Sequence, residues 1–131
     1  MKYLLDTDTC IALLRGRAAV VSRAAASSPD DCAVSPVTTY ELCAGAEKSA
    51  RPAREQSKVD ALTGTLVELA FEKRAAAQAA KVQAFLESKG LLIGPYDIML
   101  AGHALSMDLT LVTHNTREFG RVPGLRLEDW M

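Results

Sequence analysis

Short apolar runs, spaced by longer stretches of helical character, constrain the fold of this chain more than any other feature. Residues 3–5 (Tyr-Leu-Leu) and 32–34 (Cys-Ala-Val) are continuously apolar rather than alternating, as strands buried on both faces are. Residues 66–69 and 110–113 read as a third and fourth strand, and 125–127 as a fifth. Between them, capping and breaker residues predict helices over 7–15, 18–27, 37–49, 52–65, 71–90 and 94–107. The helix after Phe71 has the strongest period, with Ala75, Ala79, Val82 and Leu86 recurring every three or four residues. Strands alternating with helices in this way predict an α/β fold: a central parallel sheet of four to five strands flanked by helices. No repeat or linker interrupts the pattern, so residues 1–131 are expected to form a single domain.

Composition narrows the class. A chain of 131 residues can bury a core without disulfides or a structural metal. Twenty-one alanines against three Phe, three Tyr and one Trp favour helix. No apolar run approaches the ~20 residues of a membrane span, and Asp6 comes too early for a signal peptide. Cys10, Cys32 and Cys43 are odd in number and lack metal-type spacing, which fits a reduced, cytoplasmic protein. A net charge of −1 argues against a protein that coats nucleic acid through bulk positive charge. It leaves room for an enzyme that holds nucleic acid locally.

In parallel sheets, ligands bind beyond the carboxyl ends of the strands. Asp6 follows the first strand, Ser35 the second, and Thr113 closes the fourth with Asn115 two residues on. Glu41 lies within two helical turns of Ser35, and Asp97 falls in the first turn of the helix leading to the fourth strand. Each acid has a simpler local explanation. Asp6 and Asp8 could cap the following helix, and Thr38 to Glu41 matches a capping box. Asp97 could answer the helix dipole. Capping does not explain why all three acids fall at the same end of one sheet.

Carboxylates within ~5 Å of one another repel and do not all stay ionised without a cation. Hard oxygen ligands suit Mg²⁺ or Mn²⁺, which can activate water and steady a phosphoryl oxygen, the equipment for cutting a phosphodiester. Other chemistries find less support. There is no dinucleotide or phosphate-binding glycine loop, and His103 and His114 belong to no zinc motif. His103 is expected on a helix face in a packing or solvent role, and Cys10 and Cys43 as small core residues. The basic run Lys48, Arg51, Arg54 and Lys58 reads as a solvated face that could also touch phosphates.

These residues resemble a family. Leu4 to Ile11 is similar to the opening of PIN-domain nucleases. Ser35 to Leu42 followed by Gly45 to Ser49 resembles the second motif of VapC toxins, and Gly94 to Ala104 the third. Leu111 to Phe119, then Val122 to Trp130, resembles the ending. The four motifs occur in order across essentially the whole chain.

The resemblance implies a PIN fold and a Mg²⁺- or Mn²⁺-dependent endoribonuclease, the toxin of a VapBC toxin–antitoxin pair. It carries Asp6, Glu41 and Asp97 over as catalytic acids at the metal site, with Asp6 and Asp97 as ligands and Glu41 as ligand or water-positioning base. Asn115 falls where many PIN domains place a fourth acid, making it a weaker ligand position. Thr7 and Thr113 fit supporting hydroxyl positions, and Arg117, Lys48 and Arg51 are candidate RNA contacts. The resemblance further implies a homodimer silenced by a VapB-type antitoxin, with DNA met only through that antitoxin and no membrane association. Some similar sequences cut initiator tRNA in its anticodon region, and other members of the family cut other tRNAs or ribosomal RNA; the resemblance favours the first without deciding among them. The rival expectation is a PIN-like binding partner of a DNA-binding antitoxin, similar to FitB and acting in transcriptional regulation. An intact set of acids favours the enzyme.

Overall fold

The computed structural model describes residues 1–131 as one five-stranded sheet between two layers of helices. In chain order the elements are β1 (Tyr3–Leu5), α1 (Thr7–Leu14), α2 (Ala18–Ala26), β2 (Cys32–Val34), α3 (Pro36–Glu47), α4 (Pro52–Thr63), β3 (Val67–Glu68) and α5 (Lys73–Lys89). Then follow α6 (Pro95–Ser106), β4 (Thr110–Val112), α7 (Thr116–Phe119) and β5 (Leu127–Glu128). The strands lie in the order β3-β2-β1-β4-β5 and every pairing is parallel.

Register explains the two cores. Leu4 pairs with Ala33 and Leu111, and all three join the core beneath α5 and α6. Their neighbours Leu5, Val34 and Val112 point the other way, into a core with Cys10, Val20, Leu42 and Val59 from α1 to α4. The strands are therefore covered on both faces, which is why β1 and β2 are apolar without alternation. The period read from Phe71 holds from its second position: Ala75, Ala79, Val82 and Leu86 are the buried stripe of α5, whereas Phe71 precedes the helix, which starts at Lys73, and is only partly buried.

Two edges differ from expectation. The third strand pairs only over Val67–Glu68, and the fifth over Leu127–Glu128 rather than 125–127. Gly124, at φ 76°, turns the chain just before that last edge and delays pairing. The four-residue α7 and a 3-10 turn at Pro29–Asp31 are too short to show a period in the sequence.

The topology also locates the crevice. From central β1 the chain builds outward through β2 and β3, then returns to place β4 and β5 on the other side. The direction of winding reverses between β1 and β4, and a crevice opens there beyond the carboxyl ends of the strands.

Candidate active site

Asp6 and Thr113 flank that crevice directly, each the first residue beyond its strand. Asp6 is 4% exposed and caps α1, its Oδ1 accepting the Thr9 N–H at 2.8 Å. The Thr113 hydroxyl also supports the carboxylate and itself accepts the Asn115 N–H at 2.9 Å. Burial nevertheless outweighs these bonds and pushes the Asp6 carboxyl above its usual range. The capping explanation for Asp6 thus holds, and it coexists with a place in the crevice.

Glu41 is not a capping residue. Ser35 caps α3, its Oγ accepting the Val37 N–H at 3.2 Å, so Glu41 sits well inside the helix. The Thr7 hydroxyl donates to Glu41 Oε1 at 2.6 Å and lies 3.3 Å from the Thr38 hydroxyl. This ties the start of α1 to the Glu41 side chain. Asp97, half-buried in the first turn of α6, makes no capping bond. Burial first, then the charges of Glu41, Asp6, Glu118 and Asp8, push its carboxyl up to about 6. No basic side chain opposes them.

Glu118 and Asp8 therefore belong with the acids, although the sequence analysis gave Glu118 no role and Asp8 only a capping one. Glu118 sits one turn beyond Asn115 in α7, and its Oε2 accepts the Asn115 side-chain N–H at 3.2 Å. This bond holds the Glu118 carboxylate beside Asn115, the position the resemblance marked as a weaker ligand. An acid three residues after Asn115, six beyond the end of β4, was the available signal.

Ser35 and His103 bind this assembly from below. His103 Nδ1 lies 2.9 Å from Ser35 Oγ, both buried, linking the cap of the Glu41 helix to the Asp97 helix. Burial pulls the imidazole below its ordinary pKa, opposed by the Ala70 carbonyl. His103 is a buried packing residue. Cys10 is fully buried too, and burial pushes its thiol up, so it offers no nucleophile. Cys43 is only partly buried against the same core.

The basic candidates separate. Arg117 is exposed on α7 beside Glu118. Lys48 caps α3 about 10 Å along its axis from Glu41, and Arg51 caps α4; neither side chain is hydrogen-bonded to an acid of the site.

The acids form an all-oxygen, net-negative donor set. Burial, then the neighbouring acids, push the Asp97 carboxyl up to about 6. That chemistry fits a hard divalent cation. No three of these side chains already surround a single point. Two results are expected. Asn115→Asp should tighten Mn²⁺ binding in calorimetry and lower the melting temperature in chelator, since it sets a second carboxylate beside Glu118.

The second concerns pH. Between about 4 and about 6 the native state keeps an Asp97 proton that the unfolded chain has lost. Stability should therefore fall as pH rises through that window, and Asp6 acts in the same direction. His103 acts oppositely, favouring the unfolded state as pH falls below its ordinary value. Melting wild type and Asp97→Asn in chelator isolates the Asp97 share. The variant should gain on wild type as pH rises from 4 to 7.

Comparison with known proteins bears on this geometry. The PIN domain family matches residues 3–125. The tRNA(fMet)-specific endonuclease VapC of Salmonella typhimurium is 39% identical over 130 residues, covering 99% of this chain and 98% of that protein. Ribonuclease VapC2 of Haemophilus influenzae is also 39% identical, over 132 residues, covering 100% and 99%. A crystal structure of DNA-bound VapBC from Salmonella typhimurium superposes with a TM-score of 0.96 at 39% identity, over 100% of this chain and 99% of that one. The chain belongs to the PIN-domain family, among its VapC ribonucleases.

Proposed function

We propose that this protein is the toxin of a type II toxin–antitoxin pair and acts as a divalent-metal-dependent endoribonuclease on tRNA, with initiator tRNA the favoured substrate. The observation that supports the reading is that Asp6, at the end of β1, Glu41 and Glu118 lie close enough to Asp97 for their charges to raise its carboxyl. The name of the Salmonella relative, which specifies tRNA(fMet), supports the choice of substrate. A pure binding role in transcriptional regulation would not need this group of carboxylates around Asp97, whose carboxyl burial and acidic neighbours push up to about 6.

Asp6 and Asp97, with Glu118, would hold Mg²⁺ or Mn²⁺, and Glu41 would complete the set or face the attacking water. When bound, the cation supplies Lewis-acid stabilisation of the phosphoryl oxygens and lowers the pKa of water. The residues do the positioning. Thr113 and the Thr9 N–H hold the Asp6 carboxylate in one orientation. Thr7 engages one oxygen of Glu41, leaving the other free to take a proton from water in line with the scissile bond. In-line attack on phosphorus leaves a 5′-phosphate and a 3′-hydroxyl. A tRNA loop suits such a site because its splayed backbone can enter a crevice that a duplex cannot.

The solved VapBC complexes pair toxin with antitoxin on DNA. By extension a VapB-type antitoxin silences this chain, a homodimer is its working form, and DNA is reached through the antitoxin. No helix is long and apolar enough to cross a membrane. The test is to induce the toxin in cells and sequence the 5′ ends of RNA fragments. Monophosphorylated ends clustered in the anticodon region of initiator tRNA are the expected result. An unchanged profile in growth-arrested cells would overturn the reading.

A further inference from the structure

An acidic site repels the polyanion it must cut, and a net charge of −1 supplies no general attraction. Local cations have to hold the strand. Beside the acids, a groove of about 480 Å³ is lined by Asp8, Arg15, Arg17 and His114. Asp8, Ile11 and Arg15 recur at helical spacing, so α1 presents them on one face. Gly16, at φ 68°, ends α1 and turns the chain so that Arg17 lines the same groove.

Both arginines are exposed, and neither guanidinium has an acidic partner. Arg23 and Arg126, by contrast, are paired with Glu128 and Asp108. His114 contacts Asp129 at 3.0 Å on the far wall. The groove is continuous with the catalytic acids: Asp8 lies in it and its charge reaches Asp6 and Asp97. From Asp8 to Arg15 is about 10 Å along α1. A strand with one phosphate at the acids therefore presents neighbouring phosphates to the guanidinium groups, whose planar forks match phosphate oxygens.

We propose that this groove is the track for the RNA backbone flanking the cleaved bond, with Arg15 and Arg17 each binding a phosphate. The inference rests on the ribonuclease reading and adds the surface that holds the substrate. It adds Arg15 and Arg17 to Arg117, Lys48 and Arg51 as candidate RNA contacts.

The test uses Asp97→Asn, to allow binding without cutting, and a tRNA(fMet) transcript as probe in Mg²⁺ across a salt series. Adding Arg15→Gln and Arg17→Gln should weaken binding about tenfold at 0.1 M salt and lower the salt slope by about 1.4, the share of two single-strand phosphates. A charge-matched control, Lys81→Gln with Lys89→Gln on α5, should bind as its parent does. Melting curves check that the fold is intact. Unchanged affinity and slope in the double arginine variant would overturn the groove. So would loss of antitoxin binding with tRNA binding untouched, which would make the groove a seat for protein. Cleavage by the wild type is measured alongside. A wild type that cuts RNA while the arginine variant binds normally sinks the groove alone, whereas a wild type that cuts and binds no RNA sinks the ribonuclease reading with it.

Discussion

Asp97→Asn is expected to reduce RNA cleavage on the order of a thousandfold, because it removes a charged ligand from the centre of the acid cluster. The loss should come with a gain. Asp97 is held up to about 6 by burial and by Glu41, Asp6, Glu118 and Asp8, so neutralising it relieves strain at neutral pH. In chelator the variant should melt above wild type at pH 7, while Mn²⁺ should stabilise wild type more than the variant. Toxicity on expression in cells and thermal melts check the two halves. A well-expressed variant that still arrests growth would remove Asp97 from the chemistry.

Gly102→Ala is expected to be the most damaging single methyl in the protein. A Cβ at position 102 would stand 2.4 Å from the Ala79 backbone nitrogen and 2.6 Å from its Cα. No side chain can rotate away from that contact, because the obstacle is the α5 backbone. The helices must separate, at a cost of about 3 kcal/mol and about 10 °C in melting temperature. Since α6 carries both Asp97 and His103, its displacement should also lower activity in the folded fraction. A melting temperature within 2 °C of wild type, on the scale of about 3 °C per kcal/mol for a chain this size, would show that the helices do not approach so closely.

Much of this site is legible before any coordinates because parallel sheets put chemistry at strand ends. Asp6 and Thr113 directly follow continuous apolar runs, and their place at the crevice comes with the topology. The α5 stripe is equally plain, since seventeen residues give a period room to repeat. Glu118 escaped because α7 is four residues long, and one turn carries no periodicity. The Glu41 side chain had two readings, which the Ser35 cap and the Thr7 hydroxyl, a contact across 34 residues, separate. The Ser35–His103 bond spans 68 residues and depends on how α3 meets α6, which no local pattern encodes.

The most direct test is cleavage of a tRNA(fMet) transcript by purified protein in chelator, followed by titration with Mg²⁺ or Mn²⁺. No cleavage in chelator, with activity restored by either ion and ends bearing a 5′-phosphate and a 3′-hydroxyl, is the expected result. Cleavage that proceeds unchanged in chelator, or leaves a cyclic phosphate, would contradict a cation-dependent acid site at the end of this sheet.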